Sequence, residues 1–177
     1  MSLKSEALTE RDAMRLLREA GCDEDVVKHS VAVSKLAYEL ASEAAKKGYP
    51  VNLQLVKLGG LLHDIGRSIT HKVDHGVKGG EIAKKLKLPQ KLVGIIECHV
   101  GAGIPEEESQ VIGLPRRSYM PETLEEKIVC YADKLIKGKK RVSFQQAVKD
   151  MIDNLGPNHP AVRRLIDLHE TISKIIG

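Results

Sequence analysis

Apolar residues recur at helical spacing along almost the whole chain. Val26, Val33, Leu36 and Leu40 are three, four or seven residues apart, which places them on one face of a helix. Similar stripes are bounded by capping residues, prolines and glycines that start and stop helices. The pattern predicts eight helices, at about residues 9–21, 25–47, 52–66, 74–86, 89–101, 123–138, 143–156 and 160–177.

The remaining segments contain no strand pattern. No alternating apolar run is bounded by hairpin turns, and there is no internal repeat. Residues 102–122 contain three prolines and are predicted to form one long loop, either a lid or binding loop or a disordered connection. The expected fold class is therefore all-α, and a chain of 177 residues suits a single domain spanning residues 1–177.

Composition narrows the classes of partner. The 28 Lys and Arg residues against 24 Asp and Glu give a net charge of only +4, and aromatic residues make up 3% of the chain. Few aromatic residues leave little for stacking bases, which disfavours nucleic acid as a partner. No apolar run approaches the ~20 residues that cross a membrane. Three cysteines, an odd number, disfavour a disulfide scaffold and favour a cytoplasmic location.

Histidine and aspartate residues occupy positions where the helical stripes call for apolar side chains. A single His-Asp dipeptide is weak support for a site, and any one of these histidines also fits a core imidazole with one hydrogen bond. Several on successive helices, all facing one interior, indicate a metal site in a helical bundle. Mixed His and carboxylate ligands suit iron, manganese or zinc, and magnesium where fewer histidines bind. The candidate ligands are His29, His63, Asp64, His75, His99 and Asp133.

The run His63-Asp64-Ile65-Gly66 resembles the signature of a known family. The chain is similar to the HD superfamily of metal-dependent phosphohydrolases, in the subgroup with a His-Asp-Ile-Gly motif. That family has a first His, then His-Asp, then a distant Asp, which His29, His63-Asp64 and Asp133 match in order. The similarity covers about residues 26–136 and implies an HD-type helical bundle, with helices 143–176 outside the motif-bearing part.

The resemblance implies roles for these residues. His29, His63, Asp64 and Asp133 would hold one metal, and His75 and His99 stand where two-metal members have further ligands. Asp64 would bridge the two metals and is the candidate catalytic residue, with a role as proton acceptor left open. Many two-metal members have Lys, which contacts substrate phosphate, where this chain has Arg67. Arginine can bind phosphate in a bidentate manner.

The implied activity is hydrolysis of a phosphate monoester or diester of a small, nucleotide-like substrate by a metal-activated water. One or two divalent ions are expected, and iron, manganese, zinc, nickel and magnesium are not distinguished. The alternative is a metal-stabilised, nucleotide-binding regulatory module with little turnover.

A run of cations directly follows Asp133. Lys134 is the candidate substrate-binding residue closest to the metals. One interpretation is a helix C-terminus whose dipole the cations complement, and the other is a rim that attracts phosphate. The run comprises Lys134, Lys137, Lys139, Lys140 and Arg141.

Other histidines and the cysteines are expected to lie outside the site. His71, His159 and His169 are not predicted ligands, although His71 lies in the segment that follows the His-Asp pair. A zinc site using Cys98 and Cys130 is disfavoured because the chain lacks a Cys-x-x-Cys motif.

Overall fold

The computed structural model describes residues 8–177, and this part of the chain is a helical bundle. All eight predicted helices are present, and a ninth short helix lies within the segment predicted as a loop. The helices are α1 (Glu10–Ala20), α2 (Glu24–Lys46), α3 (Leu53–Leu62), α4 (His75–Lys85), α5 (Gln90–Cys98), α6 (Glu106–Val111), α7 (Leu124–Lys134), α8 (Phe144–Leu155) and α9 (Pro160–Ile176).

Capping side chains account for several helix starts. Thr9 and Asp12 exchange hydrogen bonds with each other's backbone N–H groups at the start of α1, and Thr123 and Glu126 do the same for α7. Each box satisfies amide groups that have no partner within the helix. Asp74, predicted to cap α4, does not: its carboxylate instead accepts a hydrogen bond from the Thr70 hydroxyl at 3.1 Å.

Helix α2 lies at the centre and contacts α3, α7 and α9. Its apolar residues contribute to two hydrophobic clusters. One contains Val33 and Leu36 together with residues of α7 and α9, and the other contains Val27 with residues of α1, α3 and α5. Within residues 8–177, no helix combines the length and apolar character needed to cross a membrane.

A 3₁₀ turn over Ile65–Ser68 connects α3 to the segment before α4. Its Gly66 is packed directly against the first turns of α4. A methyl group on Gly66 would overlap the carbonyl oxygen of His75 and would lie 2.5 Å from the amide nitrogen of Gly79. Gly79 in turn packs on Ile96 of α5, as expected for a small residue that permits close helix packing. Glycine at position 66 therefore allows the backbone after Asp64 to approach α4.

The prediction that residues 102–122 form one long loop is wrong in part. The segment contains α6, and Ile104 and Tyr119 pair through two backbone hydrogen bonds. Arg164 of α9 donates two hydrogen bonds to the Glu108 carboxylate, at 2.7 and 2.8 Å. The segment is therefore packed and anchored rather than a disordered connection.

The sixth predicted helix, expected to reach Gly138, ends earlier. Helix α7 stops at Lys134, and a hairpin follows, formed by β1 (Ile136–Lys137) and β2 (Lys140–Arg141). Two-residue strands are too short to show an alternating pattern, which explains why the sequence did not reveal them. Of the five cations after Asp133, only Lys134 is in the last turn of the helix.

Replacing Gly66 with Ala should destabilise the fold strongly, because the added methyl meets backbone atoms that cannot move aside. We expect Gly66→Ala to lower the free energy of unfolding by about 3 kcal/mol or more. The matched control is Gly48→Ala, where the methyl meets nothing within 4 Å and only the positive φ of 86° is unfavourable. That control should cost about 1 kcal/mol. Urea unfolding measures both values, and equal losses would contradict the prediction.

Candidate metal centre

The structure brings all six candidate ligands together in the interior of the bundle. His29 comes from the second turn of α2, His63 and His99 are the C-cap residues of α3 and α5, and Asp133 lies near the end of α7. Asp64 follows His63 directly, and His75 is the first residue of α4. Five helices thus contribute to one cluster of imidazoles and carboxylates.

The cluster has a first group of ligands around Asp133. The His29 Nε2 atom lies 2.9 Å from Asp133 Oδ1, and the His63 Nε2 atom lies 3.4 Å from the same oxygen. The His63 Nε2 atom is also 3.5 Å from Asp64 Oδ2. Four side chains therefore present nitrogen or oxygen atoms to one small volume, which fits a single metal ion.

A second group lies on the other side of Asp64. The Nε2 atoms of His75 and His99 are each 3.3 Å from Asp64 Oδ1 and 3.0 Å from each other. Asp64 thus directs Oδ2 toward the first group and Oδ1 toward the second. This is the arrangement that a carboxylate adopts when it can bridge two cations.

Hydrogen bonds to backbone carbonyls fix the orientation of the four imidazoles. The Nδ1 atoms face carbonyl oxygens at 2.6–2.8 Å, those of Gly138, Gly60, Lys72 and Ile96 for His29, His63, His75 and His99 respectively. A carbonyl only accepts, so Nδ1 carries a proton, and in the neutral ring Nε2 presents a lone pair to the interior. Metal-bound histidines are held in this way.

The polar atoms inside the cluster fit a metal better than they fit one another. His63 Nε2 and Asp64 Oδ1 are buried without a hydrogen-bond partner, two of only four such side-chain atoms in residues 8–177. The Nε2 lone pairs of His75 and His99 face each other, a contact that is unfavourable unless a cation lies between them. The donor set of nitrogen and carboxylate oxygen suits a transition metal or zinc.

In the second group, the surroundings favour a charged Asp64 carboxylate and neutral imidazoles at His75 and His99. Burial lowers the pKa of His75 to about 3, and the neighbouring His99 acts in the same direction. Burial also lowers the pKa of His99. For Asp64, burial alone would raise the pKa, but His63 and His99 outweigh it and hold the carboxyl pKa below its usual range.

In the first group, the two carboxylates affect the pKa of His63 more than its burial does. Burial alone would lower the pKa of His63, but Asp64 and Asp133 outweigh it and raise that pKa. The pKa of Asp133 is lowered, because Lys134, His29 and His63 overcome the effect of burial. Two carboxylates therefore favour positive charge at this point, which a bound cation would supply.

Two cations contact the carboxylates of the cluster. The Arg67 Nε atom is 2.8 Å from Asp64 Oδ2, and the Lys134 ammonium pairs with Asp133 Oδ2. The Arg67 side chain is 29% exposed, whereas the Asp64 side chain is 4% exposed. Both candidate substrate-binding residues thus border the ligand cluster on its more exposed side, where His29 is also partly exposed.

Two of the remaining histidines have contacts of their own away from the cluster. His159 caps α9, and His169 stacks on Phe144 and contacts the Tyr131 hydroxyl at 2.5 Å. The His71 side chain belongs to an exposed part of the chain. Among residues 8–177, the groups that could hold a metal contain only histidine and aspartate, without Cys98 or Cys130.

Sequence reasoning missed the backbone partners of the histidines. The Gly138 carbonyl, which accepts from His29 Nδ1, lies in the hairpin 109 residues away along the chain. Nothing in the sequence links these two positions. The partners of His63 and His99 could have been found, because both histidines lie where a helix ends and the carbonyls of the last turn need donors.

Comparison with known proteins places this cluster in a family. The sequence model of the HD domain family matches residues 26–138. The chain belongs to the HD domain family. It is 52% identical over 155 residues to the uncharacterized protein MJ0778 of Methanocaldococcus jannaschii, a match that covers 88% of this chain and 92% of that protein.

Two further matches differ in extent. The chain is 39% identical over 168 residues to the tRNA (cytidine(56)-2'-O)-methyltransferase of Picrophilus torridus. That match covers 95% of this chain but 47% of the enzyme, so the chain spans about half the length of that relative. The HD domain of L. monocytogenes phosphodiesterase PgpH, solved in complex with cyclic-di-AMP, has a TM-score of 0.55 at 16% identity, covering 92% of this chain and 96% of that chain. This likeness confirms the all-α HD fold.

If each ligand group holds one ion, substitutions in the second group should remove one ion and leave the other. We expect about two ions per chain in the wild-type protein, and about one in His75→Ala or His99→Ala, since the first group stays intact. Asp64→Ala removes the shared carboxylate and should retain no ion. Elemental analysis of the purified proteins measures this, with His71→Ala as the control that keeps the wild-type content. Unchanged metal content in His75→Ala and His99→Ala would contradict the second group.

Proposed function

We propose that the protein is a metal-dependent phosphohydrolase that cleaves a phosphodiester of a nucleotide substrate. The observation that carries the proposal is the orientation of Asp64, with one carboxylate oxygen toward His29 and His63 and the other toward His75 and His99. A shared carboxylate between two ligand groups suits two-metal hydrolysis of phosphate esters.

The residues that would hold the metals are those of the two groups. His29, His63, Asp64 and Asp133 would hold one ion, and Asp64, His75 and His99 a second. When bound, such ions lower the pKa of water and neutralise charge on the phosphoryl oxygens. The protein's own contribution is to hold these ligands rigidly, because each imidazole is fixed by its backbone carbonyl.

Arg67 and Lys134 would orient the substrate. Arg67 contacts Asp64 Oδ2 through Nε at 2.8 Å, and its two terminal nitrogens would bind a phosphate oxygen. A guanidinium fork binds phosphate in a defined orientation. Lys134 pairs with Asp133 Oδ2 and adds positive charge beside the first ligand group.

The comparisons support a diester rather than a monoester as substrate. PgpH is a phosphodiesterase that was solved with a cyclic dinucleotide, and its HD domain has the same fold as this chain. A second candidate substrate is the phosphodiester backbone of RNA. The similarity of this chain to about half of a tRNA methyltransferase favours that candidate, whereas the scarcity of aromatic residues opposes it.

A substrate panel tests the proposal. Bis(p-nitrophenyl) phosphate, p-nitrophenyl phosphate, cyclic dinucleotides and a short RNA are each incubated with Mn²⁺, Ni²⁺ or Fe²⁺. We expect cleavage of diesters, and Asp64→Ala should lower kcat/KM at least about a thousandfold, which is several kcal/mol of lost transition-state stabilisation. His71→Ala, an exposed change, is the control. Full activity of Asp64→Ala would overturn the proposal, and nucleotide binding without cleavage would favour a regulatory module.

Arg67 offers a narrower test of substrate orientation. Arg67→Gln removes the charged fork, and we expect KM for a diester to rise about tenfold, or about 1.4 kcal/mol. Arg67→Lys should restore only part of this, because an ammonium cannot bind phosphate through two nitrogens. Metal content is measured in parallel, since Arg67 also contacts Asp64. An unchanged KM in Arg67→Gln would assign Arg67 a purely structural role.

A further inference from the structure

The hairpin of residues 136–141 carries more positive charge than its fold explains. Lys137 and Lys140 are directly opposite each other in the two-stranded pairing. Like charges at opposite positions destabilise a strand pair, because their side chains lie on the same face. Asp150 offsets Lys137 at 2.9 Å, but Lys139 and Lys140 form no ion pair within residues 8–177. A turn requires glycine, which Gly138 provides with φ of 60°, and has no need of lysine.

A helix C-terminus does not account for these charges either. Helix α7 ends at Lys134, and the dipole effect falls off within the last turn. Lys139 and Lys140 lie beyond that turn and are both exposed. Their charge is therefore available to an external anion.

The tip of the hairpin is held against the candidate metal centre. The Gly138 carbonyl accepts the hydrogen bond from His29 Nδ1 at 2.8 Å, while Nε2 of the same ring lies 2.9 Å from Asp133 Oδ1. One imidazole ring thus separates the turn from the first ligand group. Arg141, at the base of the hairpin, lies 3.7 Å from Glu39 of α2, so the hairpin is connected to α2 at both places.

We infer that Lys139 and Lys140 bind a second phosphate group of the substrate, next to the phosphate that is cleaved. This inference rests on the proposed function and extends it to a substrate class. That class is nucleotides that carry a second phosphate in addition to the diester that is cleaved. The second phosphate is either a terminal phosphate of a dinucleotide or the next diester of a strand. A phosphate at this position would also offset the charge of Lys140, which faces Lys137 in the strand pair.

Three substrates that differ in the number and kind of their phosphates separate these sources. ApA contains the scissile diester alone, pApA adds a 5′-terminal phosphate, and ApApA adds a second diester. In Lys139→Gln/Lys140→Gln, we expect the ratio of KM for pApA or ApApA to KM for ApA to rise about fivefold, as two exposed charge contacts allow. The control Lys85→Gln/Lys91→Gln removes two exposed charges elsewhere and should leave that ratio as in the wild-type protein.

Binding without turnover provides an independent measurement. In EDTA, equilibrium dialysis of radiolabelled ApA, pApA and ApApA with the wild-type protein should show about fivefold tighter binding when the extra phosphate is present. The lysine double variant should lose this preference and the control should keep it. Tighter binding of pApA than of ApA supports the inference and identifies a terminal phosphate. Tighter binding of ApApA than of ApA supports it and identifies the next diester.

The outcomes separate this inference from the proposed function. If the protein cleaves diesters but the double variant keeps the wild-type KM ratios and binding preference, the hairpin inference is wrong and the hydrolase proposal stands. If no diester is cleaved but the lysines determine preference for the extra phosphate, the hydrolase proposal fails, and what stands is that these lysines bind a phosphate of a nucleotide ligand. Equal weakening for all three ligands would also overturn the hairpin inference.

Discussion

Four hydrogen bonds from imidazole Nδ1 atoms to backbone carbonyls determine what this cluster can do. Because each Nδ1 donates outward, each Nε2 presents its lone pair inward when the ring is neutral, next to two carboxylates. For His63 and His99 the acceptors are carbonyls in the last turn of the helices that these residues cap. The same bond thus completes the end of a helix and fixes the tautomer of a candidate ligand.

Close backbone packing around the 3₁₀ turn brings the two ligand groups within reach of one carboxylate. Asp64 precedes this turn, and Gly66 allows the turn to contact the start of α4, where His75 lies. A side chain at position 66 would separate the Asp64 carboxylate from His75. The shared position of Asp64 therefore depends on a glycine that takes no part in the chemistry.

The sequence predicted most helices, and helical periodicity places His29, His99 and Asp133 on buried faces. The resemblance to the HD superfamily implied ligand roles for all six side chains that cluster in the structure. It could not predict features that depend on distant partners. The pairing of Ile104 with Tyr119 leaves no local pattern, and neither does the bond from His29 to Gly138. The orientation of the Asp64 carboxylate is likewise a property of the assembled bundle.

Some charged side chains are paired and stabilise the fold, whereas others are unpaired among residues 8–177. Glu97 is buried but bonds Lys84 and Arg117, each at 2.7 Å, so its burial is compensated and the 102–122 segment is held in place. In the part of the chain that the structure describes, Lys139 and Lys140 pair with no acidic side chain. Local features that disfavour the fold are found chiefly at functional sites. These two lysines directly follow Gly138, whose carbonyl is bonded to His29 of the ligand cluster.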